Sequence, residues 1–129
     1  MIKILLVSHG KLAEGMYNTL GLFFGDLNNV DYICLKPEQN PDSFREEIAA
    51  KLAAISTQKT IIVSDIVSGT PFNQSAYFAS NNVYILSGLN LALLLDLMAK
   101  CYNEEIDIDS ALTAGKESLL CLNEMMGVE

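Results

Sequence analysis

One alternation constrains this chain more than any other feature. Four short runs rich in β-branched and aromatic residues, IKILLVS (2–8), VDYICL (30–35), TIIVSD (60–65) and NVYILS (82–87), are separated by stretches whose apolar residues recur at helical spacing. Near-continuous apolar strands of this length are buried on both faces, and strand–helix alternation is the pattern of a parallel sheet covered by helices. Parallel crossovers are right-handed, so the simplest arrangement is a doubly wound α/β fold of four strands in the order 2-1-3-4 with helices on both faces.

The helical stretches agree with this. Leu12, Met16, Leu20 and Phe24 recur every four residues, as do Phe44, Ile48 and Leu52, with Ile55 three further on, and each series predicts one buried helix face. Asn40 in NPD is expected to cap the second helix, with Pro41 in its first position and Asp42 in the positive first turn. The same device recurs in TPF, where Thr70 is expected as cap, Pro71 as first helical residue, and the amides of Phe72 and Asn73 as free donors. The segment 89–102 is apolar nearly all round, which suggests a dimer interface. A short helix is predicted around 109–116, and SLLCLNEM after it as a fifth, edge strand that pairs with or swaps onto a second subunit.

At 129 residues the chain reads as a single domain, 1–129, long enough to bury about two thirds of its unfolded surface. A net charge of −8 excludes phosphate backbones and anionic lipid as natural partners. Cys34, Cys101 and Cys121 lack metal-binding spacing and are expected as buried reduced thiols, which places the chain in a reducing, cytoplasmic compartment. IKILLVS lacks the features of a leader, and LNLALLLDLMA is too short to span a bilayer and contains Asp96, so no membrane insertion is expected.

His9, the only histidine, follows the first strand in VSHG, and Asp65 ends the third. In a 2-1-3-4 sheet these strands are neighbours, and ligands bind where the strand order reverses. This brings a histidine and a carboxylate together beside the loop IVSGT and the helix start at Thr70. A neutral imidazole attacks phosphorus through a ring lone pair without a separate base. Asp65 would take the proton on the other nitrogen and stabilise the positive ring, as the acid of a catalytic triad does. Backbone amides and the Thr70 hydroxyl would cradle the phosphoryl oxygens, with Gly10 and Gly69 allowing close backbone approach. No metal, nucleotide or other cofactor is called for. Each residue also has an ordinary structural reading, as a turn former or a cap.

VSHGKLAEGM, VSDIVSGTPFN and SGLNLALLLDLM together resemble the mannose-family enzyme IIA of the bacterial phosphoenolpyruvate-dependent sugar phosphotransferase system, over essentially the whole chain. The resemblance implies a phosphotransferase in which His9, a candidate tele-phosphohistidine, accepts a phosphoryl group from the phosphocarrier HPr and passes it to a histidine of enzyme IIB. A membrane permease, IIC/IID, then acts downstream in sugar uptake. It implies that Asp65 orients His9, that Thr70 with Gly69 and Ser68 holds the phosphoryl group, and that the protein is a homodimer with an exchanged C-terminal strand. Ser68 stands where the family commonly has the first of two glycines. As the chain ends after this domain, IIB is expected as a separate protein. Two other functions compete. One is a binding module regulated by phosphorylation. The other is a phosphohydrolase, disfavoured because the single arginine, Arg45, lies on a predicted helix away from the site.

Overall fold

The computed structural model describes residues 2–54 and 59–128 and divides into two compact units, Met1–Leu89 and Asn90–Glu129. The first unit holds β1 (Lys3–His9), α1 (Leu12–Phe24), β2 (Val30–Leu35), α2 (Pro41–Ala53), β3 (Thr60–Ser64), α3 (Thr70–Ala76) and β4 (Val83–Ser87). The second holds α4 (Leu91–Cys101), α5 (Ile108–Glu117) and α6 (Leu122–Met126).

The four strands form one wholly parallel sheet in the order β2-β1-β3-β4, as expected. β1 and β3, the central strands, are buried over nearly their whole length because both faces are covered, and apart from Ser8, Thr60 and Ser64 their buried residues are apolar. On one face Leu5, Val7, Ile33 and Ile62 pack with Phe44 and Ile48 of α2, and Leu52 and Phe78 close the cluster. Ile55, expected to extend the α2 face, lies outside the described residues. α1 packs on β1 and β2, with Ala13 and Leu20 fully buried. Leu12, expected on that buried face, is exposed. Each four-residue step overshoots a helical turn by about 40°, so a strict i+4 series drifts off its face and the buried stripe starts at Ala13 instead.

The Asn40 cap forms as expected: its side chain accepts a hydrogen bond from the Ser43 amide at 2.8 Å, with Pro41 first in the helix. At α3 the register differs by one residue. Gly69 is the cap, in extended conformation (φ −95°, ψ 169°), Thr70 is the first helical residue and Pro71 the second. The Asn73 amide donates to the Gly69 carbonyl at 2.8 Å and is therefore not free. The amides without an intrahelical acceptor are those of Thr70 and Phe72.

In the second unit α4 packs closely against α5 at Gly115: a Cβ there would lie 3.1 Å from that of Leu93, tighter than an ordinary contact. Within α4, Leu93, Leu94, Leu97, Met98 and Cys101 are buried and only Ala99 is exposed. The predicted fifth strand is not formed. Residues 119–121 have no ladder partner and residues 122–126 are helical, because an extended segment needs a neighbouring strand to satisfy its backbone whereas a helix satisfies its own. Cys121, expected buried, is exposed among exposed tail leucines; Cys34 is half-buried and Cys101 buried. Burial, with the nearby charge of Glu104 behind it, pushes the Cys101 thiol up to about 11. No helix among the described residues is long and apolar enough to cross a membrane.

Candidate functional site

His9 is the last residue of β1, and Asp65 immediately follows β3. β1 runs two residues beyond the last β1–β3 pair, Val7 with Ser64, which sets the Asp65 side chain beside the end of β1. Two donors of His9 converge on one oxygen: the backbone amide and ring Nδ1 lie 3.0 and 2.8 Å from Asp65 Oδ2. The Ile66 amide donates to the other oxygen, Oδ1, at 2.9 Å.

The pair is asymmetric in exposure, with the His9 side chain 46% and the Asp65 side chain 8% accessible. Burial pushes the Asp65 carboxyl up. The hydrogen bonds from the His9 amide, the His9 ring and the Ile66 amide, with the attraction of a protonated His9, outweigh that and hold it below its ordinary value. An ionised carboxylate only accepts, so the Nδ1 nitrogen facing it carries the proton, and in the neutral ring the lone pair is then on Nε2.

Nε2 lies beside the start of α3. A Cβ built on Gly69 would sit 2.5 Å from His9 Cε1 and 3.1 Å from Nε2, so the ring occupies the space that a side chain at this cap would need. This explains the one-residue shift of α3: the cap position is bare because the imidazole fills it. The Thr70 and Phe72 amides follow directly, and Thr70 is half-buried in the first turn. Ser68 has φ +69°, a left-handed conformation that suits glycine, and its carbonyl accepts from Asn73 Nδ2 at 3.4 Å. Gly10 was expected to allow close approach, but nothing lies within 4 Å of a Cβ built there; its need for glycine comes from φ +54°.

The structure thus brings His9, Asp65 and Gly69 into contact, with Ser68 and Thr70 as chain neighbours of Gly69. Arg45 is engaged elsewhere, over the Tyr77 ring at 4.4 Å and bonded to Asp42 at 3.0 Å. Among the described residues no group of three or more His, Cys, Asp or Glu side chains could hold a metal. Sequence reasoning passed over Ser8, the residue before His9, which is fully buried on the α1 side of β1. Its signal was a hydroxyl residue at an interior position of an otherwise apolar strand.

A family model described as "PTS system fructose IIA component" matches residues 3–113. The PTS system mannose-specific EIIAB component of Escherichia coli (strain K12) is 28% identical over 127 residues, 94% of this chain and 39% of that protein. The chain therefore spans about two fifths of the length of that relative. The PTS system sorbose-specific EIIA component of Lacticaseibacillus casei is 25% identical over 107 residues, covering 81% of this chain and 78% of its own. Among solved structures, the PTS IIA protein associated with the fucose utilization operon of Streptococcus pneumoniae superposes with a TM-score of 0.86 at 26% identity, covering 97% of this chain and 96% of its own. Family model, relatives and fold agree, and the chain belongs to the mannose-type family of enzyme IIA components of the sugar phosphotransferase system.

Proposed function

We propose that this protein is a phosphoryl carrier, taking a phosphoryl group from phospho-HPr onto His9 and passing it to a histidine of enzyme IIB. The observation that carries the reading is the 2.8 Å contact between Asp65 Oδ2 and His9 Nδ1, which leaves the Nε2 lone pair beside the glycine cap of α3. In the transfer the Nε2 lone pair forms a bond to phosphorus while the P–N bond of the donor histidine breaks, its electron pair returning to the donor ring. Nε2 has no proton to lose, so no base is needed. The ring becomes positive, and Asp65 stabilises it through the Nδ1 proton. The Thr70 hydroxyl and the amides around Ser68, Gly69 and Thr70 bind phosphoryl oxygens without adding a positive charge that would hold the group too tightly for onward transfer.

This role belongs to a cytoplasmic homodimer that uses no metal or nucleotide, with a membrane permease acting after IIB. The family match, residues 3–113, extends from the first compact unit into the second, which supports their acting as one IIA domain over 1–129. The engagement of Arg45 with Tyr77 and Asp42 argues against a phosphatase-like clamp.

The test is intact-protein mass spectrometry at alkaline pH after incubation with phosphoenolpyruvate, enzyme I and HPr. One acid-labile phosphoryl group on the wild type, absent from His9→Ala and chased off by IIB, is the expected result. Failure of the wild type to label with active donors overturns the carrier reading; labelling without onward transfer leaves a phosphorylation-dependent binding module.

A further inference from the structure

The pleat of β1 sends consecutive residues to opposite faces, so Ser8 and His9 diverge, Ser8 toward α1 and His9 toward α3. Ser8 is fully buried, and its hydroxyl makes two complementary bonds. The oxygen accepts from the Ala13 amide at 2.7 Å, and its proton is donated to the Gly10 carbonyl at 3.2 Å. α1 has no side-chain cap from Lys11, its N-cap residue, and the Ala13 amide in its first turn would otherwise be an orphan donor. Ser8, three residues ahead of that cap, supplies the missing acceptor. The Gly10 amide is held in turn by the Leu35 carbonyl at 2.9 Å. His9 is the residue enclosed between these anchors.

We propose that Ser8 is a positioning residue for His9: its hydroxyl holds the β1–α1 turn in the backbone conformation from which the His9 amide and Nδ1 both reach Asp65 Oδ2. Both donors come from one residue and meet on one oxygen, so a modest rotation of the His9 backbone separates them. Without the hydroxyl, a buried N–H and a carbonyl lose their partner and the turn relaxes to let them reach water. Gly10, in a left-handed conformation and lacking a side chain, offers no steric resistance to that relaxation. The inference deepens the phosphoryl-carrier reading of the same site, but its geometric content stands without any phosphoryl transfer.

His9 is the single histidine, so long-range 15N–1H spectra of the imidazole report this site alone. Wild type, Ser8→Ala, Ser8→Thr, Ser8→Cys and Ile48→Val are compared at a pH where the ring is neutral, with folding followed by circular dichroism. Wild type is expected as the Nδ1–H tautomer. Ser8→Ala is expected to shift the ratio toward Nε2–H by about tenfold, the effect of losing one buried hydrogen bond. Ser8→Thr, which keeps the hydroxyl, restores the wild-type spectrum. Ile48→Val loosens the core on the face of β1 away from Ser8, the face that His9 shares with Leu5 and Val7, and is expected to leave the tautomer alone. A folded Ser8→Ala with the wild-type ratio overturns the proposal, as does Ile48→Val shifting like Ser8→Ala. If Ser8→Ala does not fold, Ser8→Cys carries the test, and an unchanged tautomer there overturns it. Phosphoryl uptake from phospho-HPr is measured separately. Slower uptake by Ser8→Ala at an unchanged apparent KM for the donor supports positioning of His9. A tautomer shift with no uptake even by wild type removes the carrier reading and leaves the positioning role standing.

Discussion

At the scale of single residues, two side chains and one missing side chain define the site. The space beside His9 Nε2 and Cε1 is reserved by the absence of a Cβ at Gly69. Gly69→Ala pushes a methyl group into the ring at 2.5 Å, and the ring, held on its other side by Asp65, must give up that bond to move. Phosphoryl uptake by Gly69→Ala is expected to fall roughly 100-fold, the order of loss when a reacting group is displaced by about 1 Å; single-turnover labelling by phospho-HPr checks it. Asp65 makes a second prediction, on stability. Its carboxyl is held below its ordinary value in the folded state, so the stabilisation is fully present above the unfolded value of about 4 and is lost as pH falls through the folded one. Asp65→Asn is expected to be less stable than wild type at pH 7, with the gap closing below about pH 4. Urea denaturation across pH 3–7 measures the convergence; parallel curves would show that the carboxylate is not the source.

At the scale of elements, the β3–α3 loop is the piece whose chemistry the site depends on and whose backbone is least comfortable. Ser68 sits at φ +69°, where a residue with a Cβ pays about 1–2 kcal/mol that glycine avoids, offset in part by the greater freedom glycine has when unfolded. Ser68→Gly is therefore expected to raise stability by roughly 0.5–1 kcal/mol without disturbing the His9–Asp65 bond. Equilibrium denaturation measures the first effect and the imidazole spectrum the second. The strands and the Asn40 cap were readable from sequence because they rest on local signals, namely apolar runs and an Asn-Pro-Asp start. The α3 cap was misread by one residue because the decisive contact comes from His9, sixty positions away in the chain. The Leu12 face was misread because a four-residue spacing is longer than the helical repeat.

At the scale of the molecule, charge and exposed apolar surface are both unevenly spread. Eight of the sixteen acids but two of the eight bases lie in residues 90–129, a net of −6. The same segment ends in an exposed apolar tail that includes Leu119, Leu120, Leu122, Met125, Met126 and Val128. Exposure of this extent in a monomer calls for a partner surface, and the proposed homodimer supplies one. Sedimentation is expected to give a dimer for the full chain and a monomer for Leu120→Asp/Leu122→Asp, with the circular dichroism of the α/β unit unchanged; a dimer in both would exclude the tail from the interface. The sequence by itself determined the strand–helix order, the 2-1-3-4 sheet and the pairing of His9 with Asp65, because hydrophobic periodicity and the handedness of parallel crossovers leave few topologies to choose from. Tertiary structure alone decided which ring nitrogen of His9 meets the carboxylate, why residue 69 has no side chain, and that Ser8 closes the turn from beneath. Each of these rests on a distance between atoms far apart in the chain or on opposite faces of a strand, and no local pattern of residues encodes such a distance.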